Sequence, residues 1–396
     1  MSRVAFYTLG CKVNTYDTES VWEVFKSDGF ERVNFSDEAE VYIINTCTVT
    51  NQSDSKSRKI TRQAVRKNEN AVIVVMGCYA QVASEELAKI DGVDIITGTK
   101  NRKEILRLVK EIYKERVQLN VVSKLTKSFD DLSVKSYKEN TRAFLKIQDG
   151  CDNFCNYCII PFARGEVVSK SFDKVITEAT ELANNGYKEI ILAGIHTGKY
   201  GQDIDSTLTL LVEELLKIEK LVRLRISSIE INELTDRLIE LSYTNDKLAN
   251  HFHIPLQSGS NQVLKDMNRQ YDKSFFLERI KMIRANNPDI SITTDVIVGY
   301  PTETDELFEE TYKFIEEVGF NEMHIFPFSK RNGTPAAALK DLDKAVKTDR
   351  VSTLLKLNKK LANEYAKRFN NKIMDIIIEK ESPATGYSSN YLKVEC

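Results

Sequence analysis

Short apolar runs alternate with amphipathic stretches along most of this 396-residue chain, and that alternation restricts the fold more than any other feature. A strand followed by a helix and then another strand pairs in parallel, which places helices on the faces of a parallel sheet. In the first part of the chain, Arg3–Leu9, Val41–Thr46, Ala71–Met76 and Val93–Thr97 read as strands. Asp17–Ser27, Ser53–Asn68, Ser84–Ile90 and Lys103–Tyr113 read as helices. About four strands fit, so a small doubly wound α/β domain is expected over residues 1–120. Residues 121–140 break the pattern. The segment Ser123-Lys-Leu-Thr-Lys-Ser-Phe-Asp-Asp131 is polar and aperiodic and reads as a linker.

A second βα series occupies residues 141–370. Its candidate strands are Ala143–Gln148, Glu189–Gly194, Val222–Ser227, His251–Leu256, Ser291–Gly299 and Glu322–Phe328. Helical patterns separate them, notably Asp173–Asn185, Leu208–Glu219, Ser274–Ala285 and Asp305–Val318, and Asp343–Phe369 closes the series. Six units predict a partial, open (βα)6 barrel and not the eight-unit form. Residues 371–396 change character. Lys372–Lys380 reads as a strand, Glu381-Ser-Pro-Ala-Thr-Gly386 as a turn and Asn390–Cys396 as a second strand. Two strands are not stable alone, so this stretch is expected to open a small, incomplete β domain and not to pack on the barrel.

Composition excludes several classes. Hydrophobic residues make up 42% of the chain, with only 16 Gly and 7 Pro, which argues against a disordered or collagen-like protein. The net charge of −2 excludes a globally basic nucleic-acid coat protein but leaves room for a local basic face. No apolar run approaches the ~20 residues that cross a bilayer. The opening Met-Ser-Arg-Val-Ala-Phe-Tyr lacks an apolar h-region, so a cytoplasmic protein without membrane contact is expected.

Seven cysteines in such a chain point to metal or redox chemistry before disulfides. Gly150-Cys151-Asp-Asn-Phe-Cys155-Asn-Tyr-Cys158 follows the first strand of the second series. Three thiols within eight residues can surround one soft metal centre, zinc or an iron–sulfur cluster. Structural zinc takes four protein ligands, and no fourth Cys or His lies nearby in the sequence. A cubane held by three Cys leaves one iron open, whereas electron-transfer cubanes use four. A zinc site completed from elsewhere, or simple core cysteines, are the blander alternatives. Cys11, Cys47 and Cys78 form a second set. Each follows a strand, and strand-end loops of an open α/β sheet share one edge, where three thiols can converge. Gly10 and Gly77 would let the backbone turn sharply there. Three unrelated buried cysteines are the alternative.

The Cys-x3-Cys-x2-Cys spacing, with Tyr157 before the last Cys, resembles the radical S-adenosylmethionine (SAM) signature. Two three-Cys sites on one chain are similar to the methylthiotransferases. Matching stretches are Thr8-Leu-Gly-Cys-Lys-Val-Asn14, Asn45-Thr-Cys-Thr-Val-Thr50, Gly77-Cys-Tyr-Ala-Gln81, Cys158-Ile-Ile-Pro-Phe-Ala-Arg-Gly165, Ile254-Pro-Leu-Gln-Ser-Gly-Ser260 and Met267-Asn-Arg-Gln-Tyr271. The family has branches that act on isopentenyladenosine in tRNA, on a ribosomal-protein aspartate and on threonylcarbamoyladenosine in tRNA. Thr8-Leu-Gly-Cys-Lys-Val-Asn14 and Gly194-Ile-His-Thr-Gly-Lys-Tyr-Gly201 look like the third, since the other two typically carry Gln after that glycine. Arg223-Leu-Arg-Ile-Ser-Ser-Ile-Glu230 and His324-Ile-Phe-Pro-Phe-Ser329 point the same way. Two departures stand out. Gly299-Tyr-Pro-Thr-Glu-Thr304 has Thr302 where the family usually has Gly, and the terminal RNA-binding (TRAM-like) β domain is represented only by its opening strands.

The resemblance implies a tRNA (N6-L-threonylcarbamoyladenosine-C2)-methylthiotransferase acting at tRNA position 37. It implies two 4Fe-4S clusters. Cys151, Cys155 and Cys158 would hold the one that cleaves SAM to a 5′-deoxyadenosyl radical, and Cys11, Cys47 and Cys78 a second that donates sulfur. SAM contacts carried over from the fold are Tyr157, Gly194, Ile195, Ser227, Glu230, Gln257, Asp295, Ile297 and Gly299. Partners implied are tRNA, an external flavodoxin- or ferredoxin-like electron donor and a sulfur source. A noncatalytic, zinc-bearing RNA-binding protein of the same fold is the rival from another class. His251 and His253 share a strand face, which leaves ligation open to them, with core or supporting roles the expectation, while His196 lies on a loop beside the SAM edge. Six basic residues and no acid fall between Ser55 and Asn68. Arg58, Arg62 and Arg66 there lie at helical spacing, so this helix is the candidate phosphate-tracking face.

Overall fold

The computed structural model describes residues 2–137 and 141–395, so the Asn390–Cys396 strand and the 121–140 linker are followed only in part. The first sheet contains β1 (Arg3–Thr8), β2 (Glu31–Val33), β3 (Val41–Thr46), β4 (Val72–Gly77), β5 (Ile95–Ile96) and β6 (Leu119–Asn120). All pair in parallel, in the order β2-β1-β3-β4-β5-β6. Six strands replace the expected four. The two extra ones are edge strands of three and two residues, too short to show a period. Alternation along β3 and β4 sorts the side chains into two cores. Tyr42, Ile44, Ile73 and Val75 face one helical layer. Val41, Ile43, Val72 and Val74 face the other.

The second unit begins with β7 (Arg142–Lys146), β8 (Gln148–Asp149) and β9 (Val168–Ser169), then β10 (Glu189–Ala193), β11 (Arg223–Ile226), β12 (His251–His253), β13 (Ser291–Val298) and β14 (Glu322–Pro327). β7, β10 and β11 pair in parallel, as do β12, β13 and β14. A parallel bridge between Leu224 and Leu248 joins the two halves into an open barrel of six strands. Its core holds Leu145, Ile190, Leu224, Phe252, Ile292 and Phe276, all essentially inaccessible. β8 and β9 form a small antiparallel ribbon from which the Cys151–Cys158 loop hangs. The helix expected over Asp305–Val318 forms over those residues, started by the Thr304 hydroxyl, which accepts from Leu307 N–H, and ended by Gly319 in the left-handed region.

Residues 121–137 carry no helix or strand, but they are pinned. The Tyr16 hydroxyl donates to Leu132 O, Asp130 pairs with Arg102, and Val134 and Tyr137 are buried in the barrel core.

The C-terminal stretch departs from its expected form. β15 (Ile376–Glu381), β16 (Ala384–Ser388) and β17 (Lys393–Glu395) form a three-stranded antiparallel sheet. The segment expected as a turn supplies most of β16. The sheet also packs on the barrel. Arg223 and Arg225 donate to backbone carbonyls of Asp375, Tyr387, Ser388 and Ser389, and Tyr391 stacks on His251 with centroids 4.6 Å apart. Buried guanidinium groups need acceptors, and these carbonyls provide them.

A buried ion network joins the two α/β units. Asp17, from the helix Lys12–Ser27, meets Arg102, Lys146 and Arg164 at 2.9, 2.9 and 3.2 Å. Asp149 meets Lys146 and Arg164 at 2.6 and 3.1 Å. Arg and Lys outweigh the cost of burial and hold both carboxyls below the usual range.

Candidate functional site

Cys11, Cys47 and Cys78 each stand just beyond a strand, after β1, β3 and β4. The two glycines do turn the chain there, with φ of +101° at Gly10 and +99° at Gly77. A Cβ on Gly77 would lie 2.6 Å from Thr46 O, and one on Gly10 3.1 Å from Cys47 Sγ. The three thiols converge closely enough that Cys11 and Cys47 each push the Cys78 thiol up. Burial contributes most and takes it to about 11. Arg164, fully buried, donates from Nε to Cys78 Sγ at 3.2 Å and from Nη2 to Asn14 Oδ1 at 2.5 Å.

Cys151, Cys155 and Cys158 converge in the same way. Burial, with the other two thiols adding, pushes Cys158 up to about 12. Cys151 Sγ lies 3.4 Å from His196 Nδ1. His196 Nε2 is 2.6 Å from Glu233 Oε1. Burial opposes charge on this imidazole, but Cys151 and Glu233 outweigh it and raise its pKa to about 9. Arg269 donates to Cys155 Sγ at 3.4 Å and is itself held by Glu230.

Neither trio is in a disulfide. Ligands of a single zinc, each 2.3 Å from it, would sit about 3.8 Å apart. Among the described residues the group whose ligand atoms lie within 4.8 Å of one another is His253, Asp295 and His324, and the cysteine trios are not so tight. Soft sulfurs that do not close on one ion leave an iron–sulfur cluster, and not a lone zinc, as what the Cys151, Cys155 and Cys158 trio could hold.

Two cavities open beside these loops. One, of about 230 Å³, is lined by Tyr157, Cys158, Gln257, Asp295 and Ile297, with Val49 and Thr50 of the first unit closing it. The other, of about 490 Å³, runs from Cys11 and Lys12 past Gly194, Ser227 and Asp295 to Tyr391. Of the nine residues carried over as SAM contacts, six therefore line cavity walls: Tyr157, Gly194, Ser227, Gln257, Asp295 and Ile297. Glu230 lies at a third, small recess with Cys155, committed to Arg269. Ile195 and Gly299 line neither large cavity. Gly299 donates its N–H to Glu303 and lies under Lys347. Thr302, in place of the usual Gly, bonds Asp266, and its φ is not positive, so the turn closes without glycine. His251 and His253 share Thr293 Oγ1 at 2.9 Å each, and His253 also belongs to the close His253, Asp295 and His324 group. Arg62 and Arg66 are exposed, but Arg58 is tied to Tyr79 and Glu86.

Residues 145–315 match the Radical SAM superfamily, and residues 3–98 match the family described as Uncharacterized protein family UPF0004. The chain is 48% identical to the threonylcarbamoyladenosine tRNA methylthiotransferase MtaB of Bacillus subtilis, over all of this chain and 90% of that protein. It is 41% identical to the protein of that name from Aquifex aeolicus, over 99% and 96%. The chain belongs to the radical SAM methylthiotransferases. A tRNA-2-methylthio-N(6)-dimethylallyladenosine synthase of Thermoanaerobacter is more distant, at 36% over 94% and 81%. Among solved structures the radical SAM methyltransferase TsrM of Kitasatospora setae aligns with a TM-score of 0.63 over 85% of this chain and 74% of that one, at 14% identity, a likeness of fold.

A radical SAM methylthiotransferase uses SAM and a 4Fe-4S cluster, and the Cys151–Cys158 loop has the donor set for that cluster. Arg164, Arg269, His324 and Lys12 were not assigned roles from sequence. All four lie inside motifs quoted above, but pairing of Arg164 with Cys78 or Arg269 with Cys155 is visible only when distant segments are folded together.

Proposed function

We propose that the protein is a tRNA threonylcarbamoyladenosine methylthiotransferase that places a methylthio group on C2 of that adenine at position 37. The observation that carries this reading is the 48% identity to a protein of that activity along the whole chain, combined with two cysteine trios beside strand-end cavities that share Asp295 and Phe326 as wall. The C2–H of adenine is too weakly acidic for any side-chain base near pH 7, so the chemistry belongs to a cofactor and the protein positions it. In this reading Cys151, Cys155 and Cys158 hold the cluster that, with SAM bound, supplies the radical. Cys11, Cys47 and Cys78 hold a second cluster concerned with sulfur.

The chain's own residues divide the remaining work. Arg269 and His196 set hydrogen bonds and positive charge against the Cys151, Cys155 and Cys158 trio, and Arg164 does so against Cys78 of the other. Tyr157, Gln257, Asp295 and Ile297 shape the pocket for SAM beside Cys158. The exposed Arg62 and Arg66 track tRNA phosphates, so binding should weaken steeply with added salt. An external electron donor of flavodoxin or ferredoxin type and a sulfur source complete the cycle, in the cytoplasm where tRNA is modified.

Nucleoside mass spectrometry of tRNA from a deletion strain tests this. Loss of the 2-methylthio derivative with threonylcarbamoyladenosine retained is the expected profile. Loss of the isopentenyladenosine derivative instead, or an unchanged tRNA profile, would reassign the substrate.

A further inference from the structure

Resting on the reading above, we infer that Lys12 is the specificity residue of the larger cavity and binds the threonine carboxylate of the substrate's N6 side chain. Arg225 faces this cavity but is spent: Nε donates to Glu189 at 2.7 Å, and Nη1 and Nη2 go to the carbonyls of Ser389 and Ser388. His253 and His324 are committed to Asp295, at 3.3 and 3.1 Å. His251 bonds Thr293 and stacks on Tyr391. Among the described residues lining the cavity, that leaves the Lys12 ammonium and the Glu322 carboxylate without a hydrogen-bond or ion-pair partner.

Lys12 is held in place by its neighbours along the chain. It opens the helix Lys12–Ser27 directly after Cys11, and its side chain extends into the open space and not into the buried network below. A cation so placed, next to one cysteine trio and across from Asp295, lies where an adenine brought to that trio would project its N6 substituent. A threonylcarbamoyl group differs from an unmodified amine or an isopentenyl chain by one full negative charge. Charge-assisted pairing of ammonium with carboxylate is the interaction that discriminates them. Glu322, at the start of β14 in the same cavity wall, is an acceptor for the threonine hydroxyl. Its charge disfavours a carboxylate placed at that end, so the pair sets one orientation.

Anaerobically prepared holoenzyme and anticodon stem-loop RNAs carrying either threonylcarbamoyladenosine or its neutral threonine amide provide the test, with fluorescence anisotropy as the readout. The wild type should bind the carboxylate form about tenfold more tightly. Lys12→Met should bring the two RNAs within about twofold, Lys12→Arg should keep most of the preference, and Lys12→Glu should favour the amide. Iron content and the visible spectrum report whether each variant is assembled. Should Lys12→Met fail to assemble, the wild-type preference and the Lys12→Arg result still decide. The inference falls if Lys12→Met keeps the tenfold preference, or if the wild type binds both RNAs equally while it thiomethylates the carboxylate form. A wild-type enzyme that leaves threonylcarbamoyl tRNA unmodified while acting on another adenine would instead remove the substrate reading, and the Lys12 assignment with it.

Discussion

Gln257 has φ of +65° at the rim of the smaller cavity, a left-handed conformation that costs a non-glycine residue about 1 kcal/mol. Its backbone is locked on both sides, N–H to Asp295 O and carbonyl to Ile297 N–H, each at 2.8 Å. Strain held so firmly beside the proposed SAM pocket is the pattern of a positioned side chain. Gln257→Gly should therefore be more stable than Gln257→Ala by about 1 kcal/mol in urea denaturation, while both weaken SAM binding measured by calorimetry. Equal stability of the two variants would show that the backbone is unstrained. At Arg164 the expectation is harsher. Its guanidinium is fully buried and serves Asp17, Asp149, Asn14 and Cys78 together. Arg164→Gln leaves buried carboxylates undercompensated and should cost about 3 to 5 kcal/mol by the same measurement.

Elements, more than single residues, create the two sulfur sites. The first trio is assembled from three separate strand ends. The second comes from a single loop on the β8–β9 ribbon, closed by Cys151 N–H donating to Gly165 O at 2.9 Å. Replacing either trio by alanine should lower iron from about eight to about four per chain in anaerobically reconstituted protein. Total loss from one triple change would mean that the sites are not independent. The C-terminal sheet is a second case. Tyr391 stacks on His251 and lies under Arg225, 4.9 Å from its ring centroid. Tyr391→Ala should loosen the sheet by about 1 to 2 kcal/mol, seen as faster amide exchange in residues 376–395 and not in the barrel. Uniform acceleration would mean that the sheet unfolds only with the whole protein.

Across the whole molecule, the ion network between the two α/β units makes stability depend on acid. Burial alone would raise the Asp17 and Asp149 carboxyls above their ordinary 3.8, but Arg102, Lys146 and Arg164 more than offset it. A carboxyl depressed in the folded state stabilises it above the unfolded pKa, and that contribution drains as pH falls through the folded one. The melting temperature should hold between pH 7 and 5 and fall below about pH 4, with Asp149→Asn flattening the fall. An unchanged melting temperature down to pH 3 would show that the network does not bear on stability.

The open barrel and the parallel sheet were legible in the amino-acid sequence because apolar periodicity is local: the strands from β3 to β14 that exceed three residues, wherever a strand was expected, fall within two residues of their expected bounds, while β5 shrinks to two residues and β12 ends three residues early. The six proposed cysteine ligands were legible because strand-end position and Cys spacing are also written locally. The edge strands β2 and β6, and β16 within a segment read as a turn, carried too few residues to show a period. The pairing of Arg164 with Cys78 was not legible, because 86 residues separate them and only the packing of one α/β unit on the other brings them together. The same holds for Lys12. Its place in a motif was plain, but an unpartnered charge is a property of everything around it, and only the tertiary structure decides which of the neighbouring charges are already spent.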